Sequence, residues 1–295
     1  MSSTVCIGVD WGSSHCRAYR LSAAGEILEK RTSDTGIVKL KEGEHEPALR
    51  ALIGDWLKTY PDAAVILSGM VGGRGGWREV PYAAIPADPA AILTGCTKLT
   101  LGDGRPVHLV PGLRRDGERP DVMRGEEVQI LGAAVTGDAT VCLPGTHSKW
   151  ATVKGGKIVD FATYLSGEIF NLLCQHSIVG RLIVEAPFDE AAFLAGADQA
   201  KEPGHFLSHA FTARALAVTD RMPASAIRSY LSGLTIGHEI EAAAPPSGAS
   251  VLLLGNEELC GLYAKLLARK GVTGVPGPAE AATLGHYRIW QALAQ

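Results

Sequence analysis

A strand–turn–strand–turn–strand unit occurs twice in this chain, and that repetition restricts the fold more than any other feature. In the first copy the apolar run Thr4 to Val9 ends at Asp10-Trp11-Gly12-Ser13-Ser14. Residues compatible with a strand resume from Cys16 to Leu21, turn at Ala23-Ala24-Gly25-Glu26 and return from Ile27 to Thr32. In the second copy Thr140 to Leu143 runs into Pro144-Gly145-Thr146-His147-Ser148. A strand follows through Val153, then the tight turn Lys154-Gly155-Gly156-Lys157 and a third strand from Ile158 to Tyr164. Two polar, glycine-containing first turns at matching places predict β-meanders. Laying Gly12 on Gly145 puts Ser13 on Thr146, which suggests two domains of similar topology facing each other. Strand–turn–strand is a common arrangement, so two unrelated hairpins would read the same way.

The segments around these units alternate between strand and helix. Glu46 to Tyr60 carries Leu49, Leu52, Ile53, Trp56 and Leu57 at helical spacing. The strand Ala64 to Leu67 opens into Ser68-Gly69-Met70-Val71-Gly72-Gly73-Arg74-Gly75-Gly76-Trp77, a loop whose glycines must let something approach the backbone. A strand is predicted over Val107 to Val110, a polar stretch over Pro111 to Pro120, and a helix over Gly125 to Val135. Further helices are predicted at Ser166 to Ser177, Phe188 to Ala195, His209 to Val218 and Pro223 to Ala242. The strand Ser250 to Leu254, broken by Gly255-Asn256, precedes the helix Glu257 to Lys270, and Ala279 to Leu293 closes the chain. The pattern calls for an α/β layered fold with a domain boundary within residues 112–122.

Composition narrows the function. Lys and Arg number 28 against 31 Asp and Glu, a net charge of −3 with no basic block, so a nucleic-acid partner has no electrostatic footing. The six cysteines are scattered without zinc-ligand spacing and read as thiols of a reducing cytosol. Met1-Ser2-Ser3-Thr4 enters a strand without a basic segment, and no window approaches the roughly 18 consecutive apolar residues of a membrane span. The expected protein is cytoplasmic, without a membrane association. A homodimer is the weakly expected oligomer.

Three motifs carry candidate chemistry. Asp10 closes a buried strand and is followed by Gly12, Ser13 and Ser14; such a carboxylate can hold hydrated Mg²⁺ while turn N–H groups face phosphate oxygens. Gly145, Thr146 and His147 offer a second cradle of that kind. Gly255-Asn256, between an apolar strand and a helix, suits a ring or ribose laid against the helix start. Each also suits a plain turn. Arg124-Gly125-Glu126-Glu127 opens a helix, where an acidic pair complements the dipole or supplies a base for a hydroxyl proton. The nine histidines show no ligand pairing, and His15, His108 and His286 are read as turn or surface residues. Neither GxxxxGK[ST] nor a strand–GxGxxG–helix is present.

The order of these motifs resembles the actin-like, sugar-kinase-type ATPase superfamily over essentially the full length. Val9 to Ser14 with Arg17 is similar to its first phosphate motif, Leu143 to Ser148 to its second, and Leu253 to Asn256 to its adenosine motif. The resemblance implies two ribonuclease-H-like domains with an interdomain ATP cleft, at residues 1–117 and 118–295. Four longer segments, Ser68 to Trp77, Met123 to Gly132, Leu143 to Trp150 and Tyr164 to Phe170, resemble the bacterial 2-dehydro-3-deoxygalactonokinase family. That family phosphorylates the terminal (C6) hydroxyl of a 2-keto-3-deoxy sugar acid in galactonate catabolism.

The roles implied are ATP and Mg²⁺ as cofactors, Asp10 as metal ligand, and Gly12, Ser13, Ser14, Gly145, Thr146, His147, Gly255 and Asn256 as nucleotide contacts. Arg74 or Arg124 would bind the substrate carboxylate, and Trp77 would cover the sugar acid. Related kinases place an Asp at the helix before the second cradle. Here the acids are Glu126 and Glu127, with Asp121 upstream, and Glu126 is slightly favoured as base. A kinase of another sugar or sugar acid, and an actin-like nucleotide switch without a small substrate, remain alternatives.

Overall fold

The computed structural model describes residues 4–294. The Met1-Ser2-Ser3 lead-in read above lies outside that range. The chain opens with β1 (Thr4–Trp11), β2 (Cys16–Ser22) and β3 (Ile27–Ser33), followed by α1 (His45–Thr59) and β4 (Ala64–Ser68). Next come β5 (Ala83–Ala84), α2 (Pro89–Thr94), β6 (Thr97–Thr100), β7 (Pro106–Leu109), β8 (Leu113–Arg115), β9 (Asp121–Met123) and α3 (Glu126–Gly132). The second repeat unit is β10 (Ala139–Leu143), β11 (Ser148–Lys154) and β12 (Lys157–Tyr164). After it run α4 (Ser166–His176), α5 (Glu190–Gln199), α6 (Phe206–Val218), α7 (Ile227–Ala243), β13 (Ser250–Leu253), α8 (Glu257–Ala268), β14 (Thr273–Pro276) and α9 (Ala281–Leu293).

Two sheets repeat one plan. The first is ordered β3-β2-β1-β4-β7-β6 and the second β12-β11-β10-β13-β14. In the first, β1 pairs antiparallel with β2 and parallel with β4. In the second, β10 pairs parallel with β13, and β13 with β14. A meander followed by parallel crossover strands, built twice, is the doubled ribonuclease-H-like arrangement that the family resemblance implied. The α1 stripe also packs as its spacing predicts, with Leu49, Ile53, Trp56 and Leu57 buried against Ile7, Val9 and Trp11 of β1.

Compact units follow a different division from the chain halves. One comprises Met1–Ala139, Ala151–Phe161 and Gly277–Gln295; the other comprises Thr140–Trp150 and Ala162–Pro276. Residues 118–139 and the last helix therefore lie with the first unit. The stretch Pro111 to Pro120, read as a polar connection, contains β8, which joins β5 and β9 in a small three-stranded sheet. Arg115 anchors it by donating from Nη1 to the Phe161 carbonyl at 2.7 Å. Helix α3 stops at Gly132 instead of Val135, because Ala134 takes a left-handed conformation (φ 61°) that a helix cannot continue. Helix α5 starts later than expected, where the Asp189 carboxylate caps the Ala192 N–H at 3.0 Å.

Two helix pairs cross at glycines. In the first unit a Cβ on Gly132 would lie 1.8 Å from the Ala281 carbonyl oxygen, and one on Gly285 2.0 Å from that of Val128, so α3 and α9 touch backbone to backbone. In the second unit Gly196 and Gly233 bring α5 and α7 together in the same way.

His286, read from sequence as a turn or surface residue, is buried completely on α9. Its ring lies over Gly8 of β1, and Nε2 hydrogen-bonds the Ser68 hydroxyl at 2.8 Å. Burial drives its pKa down to about 3, so the folded protein keeps it neutral while the unfolded chain protonates near pH 6.5. Between those values the unfolded state binds the extra proton, and stability rises with pH. This group alone is expected to remove about 1.4 kcal/mol per pH unit as pH falls from 6 to 4. In urea unfolding from pH 4 to 7, His286→Gln should lose one proton's worth of that slope; an unchanged slope contradicts the assignment.

Candidate active site

The first unit assembles its polar groups at the carboxyl ends of parallel strands, where α/β sheets place their ligands. Asp10 sits near the end of β1, paired with Arg17 of β2 on one side and with Ser68 of β4 on the other. Arg17 Nη1 is 3.6 Å from the Asp10 carboxylate. Burial pushes the Asp10 pKa up, Arg17 opposes that, and the negative charge of Glu126 adds to it. Asp10 and Glu126, far apart in sequence, thus share one electrostatic environment.

The turn after Asp10 is fixed from inside. The Gly12 N–H donates to the His15 carbonyl, while the Gly12 and Ser13 carbonyls accept from Ile37 and Val38. Ser13 and Ser14 are exposed at its tip. The Gly12 N–H is therefore already engaged, and the donors this turn can offer an anion are those of the serines.

The glycine-rich loop meets the start of α3. Gly69 has φ +87°, and a Cβ there would stand 2.8 Å from the Trp11 carbonyl and 3.4 Å from Asp10 Oδ1. Gly125, with φ +109°, would bring a Cβ to 3.5 Å from the Gly69 Cα. At Gly76 a Cβ would lie 2.4 Å from the Met70 carbonyl. These glycines serve the close packing of the loop against the chain's own backbone. Trp77 is edge-on to Trp11 (6.3 Å) and stacked on His45 (6.1 Å), which ties the loop to the core. Arg74 is exposed on the same loop.

The two glutamates of α3 part company. Both carboxylates fold back on the helix start, Glu126 accepting from the Arg124 N–H at 3.0 Å and Glu127 from the Gly125 N–H at 2.7 Å. Glu126 is partly exposed, whereas Glu127 is wholly buried with Oε1 unpartnered. Burial, reinforced by Glu126, pushes the Glu127 pKa up to about 8, so its carboxyl is mostly protonated at neutral pH. Asp121, on β9, spends an oxygen on the Val122 N–H at 2.7 Å.

Arg124 is held in place yet half uncommitted. Its guanidinium lies 4.2 Å from the Tyr82 ring centre, and Nη2 donates to the Val80 carbonyl at 2.8 Å. Nε and Nη1 are buried without a partner. Unmet buried donors on a planar cation form a receptor for a carboxylate.

The second unit brings its two expected motifs to one pocket of about 360 Å³, lined by Gly145, Gly167, Phe170, Asn256, Leu259 and Tyr263 among others. Gly255 (φ +139°) runs beside the second turn, a Cβ on it falling 3.4 Å from the Pro144 carbonyl. Asn256 caps α8 by accepting from the Leu259 N–H at 3.0 Å, so its side-chain oxygen already has a structural task. Thr146 and His147 are exposed, and no Cβ clash would arise at Gly145.

Sequence reasoning missed what supports this turn. A Cβ on Gly167 would be 2.4 Å from the Gly145 carbonyl, and the Glu168 N–H donates to the Thr146 carbonyl at 3.0 Å. The Glu168 carboxylate also pairs with His147. The segment Tyr164 to Phe170 is thus the buttress of the second turn. Buried Lys149 donates to the His147 carbonyl at 3.0 Å.

The doubled sheets have the arrangement of the actin-like, sugar-kinase class of fold. Comparison with known proteins sharpens that. The sequence profile of the 2-keto-3-deoxy-galactonokinase family matches residues 10–289, and the chain belongs to that family. It is 35% identical over 278 residues to a Rhizobium meliloti (strain 1021) protein assigned as a 2-dehydro-3-deoxygalactonokinase, covering 90% of this chain and 89% of that one. It is 34% identical over 236 residues to the Escherichia coli (strain K12) 2-dehydro-3-deoxygalactonokinase, covering 79% and 78%. A crystal structure of a Sinorhizobium meliloti protein assigned to the same activity superposes with a TM-score of 0.86 at 32% identity, over 98% of this chain and 99% of that one. The chain is accordingly a carbohydrate kinase. No helix among the described residues is long and apolar enough to cross a membrane.

Proposed function

We propose that this protein phosphorylates the C6 hydroxyl of 2-dehydro-3-deoxy-D-galactonate with ATP, and that Arg124 holds the substrate carboxylate. The observation that carries this reading is the Arg124 guanidinium, with two buried donors unmatched and its plane fixed over Tyr82. Arg74 is the weaker candidate, because an exposed side chain must be ordered on binding and its charge is screened.

Glu126 is assigned as the base that takes the hydroxyl proton. It is the partly exposed member of the pair, and it lies within electrostatic reach of Asp10. A Glu127 carboxyl that already carries a proton, sealed from solvent, cannot accept one. Asp10 suits a hydrated Mg²⁺: its carboxyl is destabilised as an anion by burial and by Glu126, and a cation would relieve both. When bound, the ion would neutralise phosphate charge. In the second unit the Gly145–His147 turn would receive phosphate oxygens, and the pocket beside Gly255 and Asn256 the adenosine.

The function is tested by coupled ADP release against a panel of keto-deoxy sugar acids, aldonic acids and neutral sugars. Turnover with the galactonate derivative should exceed that with neutral sugars by about 10³-fold or more, since a neutral sugar leaves the Arg124 donors unpaired. Turnover of a different acid in its place would select another substrate of the same class. Failure to turn over any acceptor would favour a nucleotide switch.

Two variants probe the halves separately. Arg124→Ala should lower kcat/KM for the sugar acid about 10²-fold with little change in the KM for ATP. Gly167→Ala forces a Cβ against the Gly145 carbonyl and should raise the KM for ATP about tenfold, sparing that for the sugar acid. Steady-state kinetics with each substrate varied decides both, and a reversed pattern contradicts the assignment.

A further inference from the structure

Beneath the second turn lies a buried chain of hydrogen bonds that no part of the reading above uses. Glu239 of α7 is 2% exposed. Its carboxylate accepts from Trp150 Nε1 at 2.7 Å and from the Tyr263 hydroxyl at 2.7 Å. The Ser166 hydroxyl also bonds to it. Burial raises its pKa, and the donated hydrogen bonds from Ser166, Tyr263, Trp150 and Ser148 oppose that by favouring the anion. The Tyr263 oxygen is in turn 3.1 Å from Ser148 Oγ. Ser148 Oγ lies 3.4 Å from both the N–H and the carbonyl of Gly145.

The donors along this chain fall in one order. Trp150 Nε1 can only donate, and the single Tyr263 hydrogen is spent on the carboxylate, so the Ser148 hydrogen turns to that side, toward the Tyr263 oxygen and the Glu239 carboxylate that it also bonds. The Ser148 oxygen, its own hydrogen used, is left as an acceptor for the Gly145 N–H. An anion on α7 thereby decides which way the Ser148 hydroxyl points and which Gly145 group it engages.

We propose that Glu239 is a positioning residue for the Gly145–Ser148 turn, acting through Tyr263 and Ser148 to keep the turn in its phosphate-receiving form. The proposal rests on the reading that this turn holds nucleotide phosphates. A glutamine at 239 has nearly the same shape but offers an N–H₂ group. With its oxygen on Trp150, it donates to Tyr263, the Tyr263 hydrogen turns to Ser148, and the Ser148 hydrogen turns to the Gly145 carbonyl. The polarity of the whole chain reverses without a cavity.

The test is steady-state kinetics on the full-length protein carrying Glu239→Gln, Tyr263→Phe, Ser148→Ala and the Glu239→Gln/Tyr263→Phe double change. Each single variant should raise the KM for ATP about tenfold and leave the KM for the sugar acid unchanged. The double variant should cost less than the two single losses added, because both changes act on the same Ser148 hydroxyl. Costs that simply add, or equal losses for both substrates, overturn the proposal. If Glu239→Gln does not fold, Ser148→Ala carries the same test, since it leaves the Trp150, Tyr263 and Ser166 contacts of Glu239 in place. Gly145→Val separates the two readings: its Cβ meets no neighbouring atom, yet the side chain would occupy the phosphate position. An unchanged KM for ATP in Gly145→Val rejects the phosphate turn itself, and the proposal with it. A raised KM there with none in Ser148→Ala rejects the positioning chain alone.

Discussion

Glu126→Gln is expected to cut kcat by about 10² to 10⁴-fold, while Glu127→Gln stays within a few-fold of the parent. The two residues are neighbours on one helix turn and carry the same functional group, so the contrast comes from environment alone. Glu127 has no exposed surface, and burial followed by the charge of Glu126 raises its pKa to about 8. A glutamine there imitates the protonated form that dominates at pH 7, and its amide oxygen can still accept from the Gly125 N–H. Replacing Glu126 removes the acceptor for the hydroxyl proton. Linkage adds a stability signature for Glu127. Its folded pKa lies above its unfolded value of about 4.3, so the native state holds the extra proton and stability falls as pH rises from about 4.3 to 8. Glu127→Gln should remove that decline. The paired outcome is read from kcat at saturating substrates and from urea midpoints across pH 5 to 8. Equal losses in both variants, or a loss confined to Glu127→Gln, would move the base.

Gly132→Ala and Gly285→Ala are each expected to lower stability by about 3 kcal/mol or more, a fall in melting temperature of about 6 to 12 °C. The added methyl would stand 1.8 Å from the Ala281 carbonyl oxygen in one case and 2.0 Å from the Val128 carbonyl oxygen in the other. Both obstacles are backbone, so no side-chain rotation relieves them and the helices must move apart. Helix α3 carries Glu126 at its first turn, so turnover should fall along with stability. Gly261→Ala is the matched control: it lies on the exposed face of α8 with no atom within 4 Å of the new Cβ. Alanine's better helix propensity should there add up to about 1 kcal/mol. Thermal melts of the three variants decide the matter; Gly132→Ala within a degree of the parent would contradict the crossing.

The polar turns at Asp10 to Ser14 and Pro144 to Ser148 were legible because a meander with its turn chemistry is a local device. Strand period, a glycine and short hydroxyl residues all lie within about fifteen residues of each other. The apolar stripe of α1 was legible for the same reason. The glycine-rich loop was read as a place of close approach, and at Gly69 and Gly76 what approaches is the chain's own carbonyls. Glycine records that space is scarce and says nothing of who fills it. His286 was misjudged because a histidine on an amphipathic helix carries no mark of its partner, here Ser68 at the far end of the sequence. Asn256 was expected to meet a nucleotide, and its position lines the pocket, but its side-chain oxygen caps α8.

By itself, then, the order of residues determined the repeated strand plan, the two polar turns and the family, since each rests on neighbours in chain or on motif succession. Only the tertiary structure decided which glutamate of the pair is sealed and protonated, which arginine holds unmet donors, and that Glu239, Tyr263 and Ser148 form one path. Those outcomes are fixed by desolvation and by hydrogen-bond partners contributed from distant elements. The free energy of a charge depends on what surrounds it in space, and adjacency in sequence does not encode that.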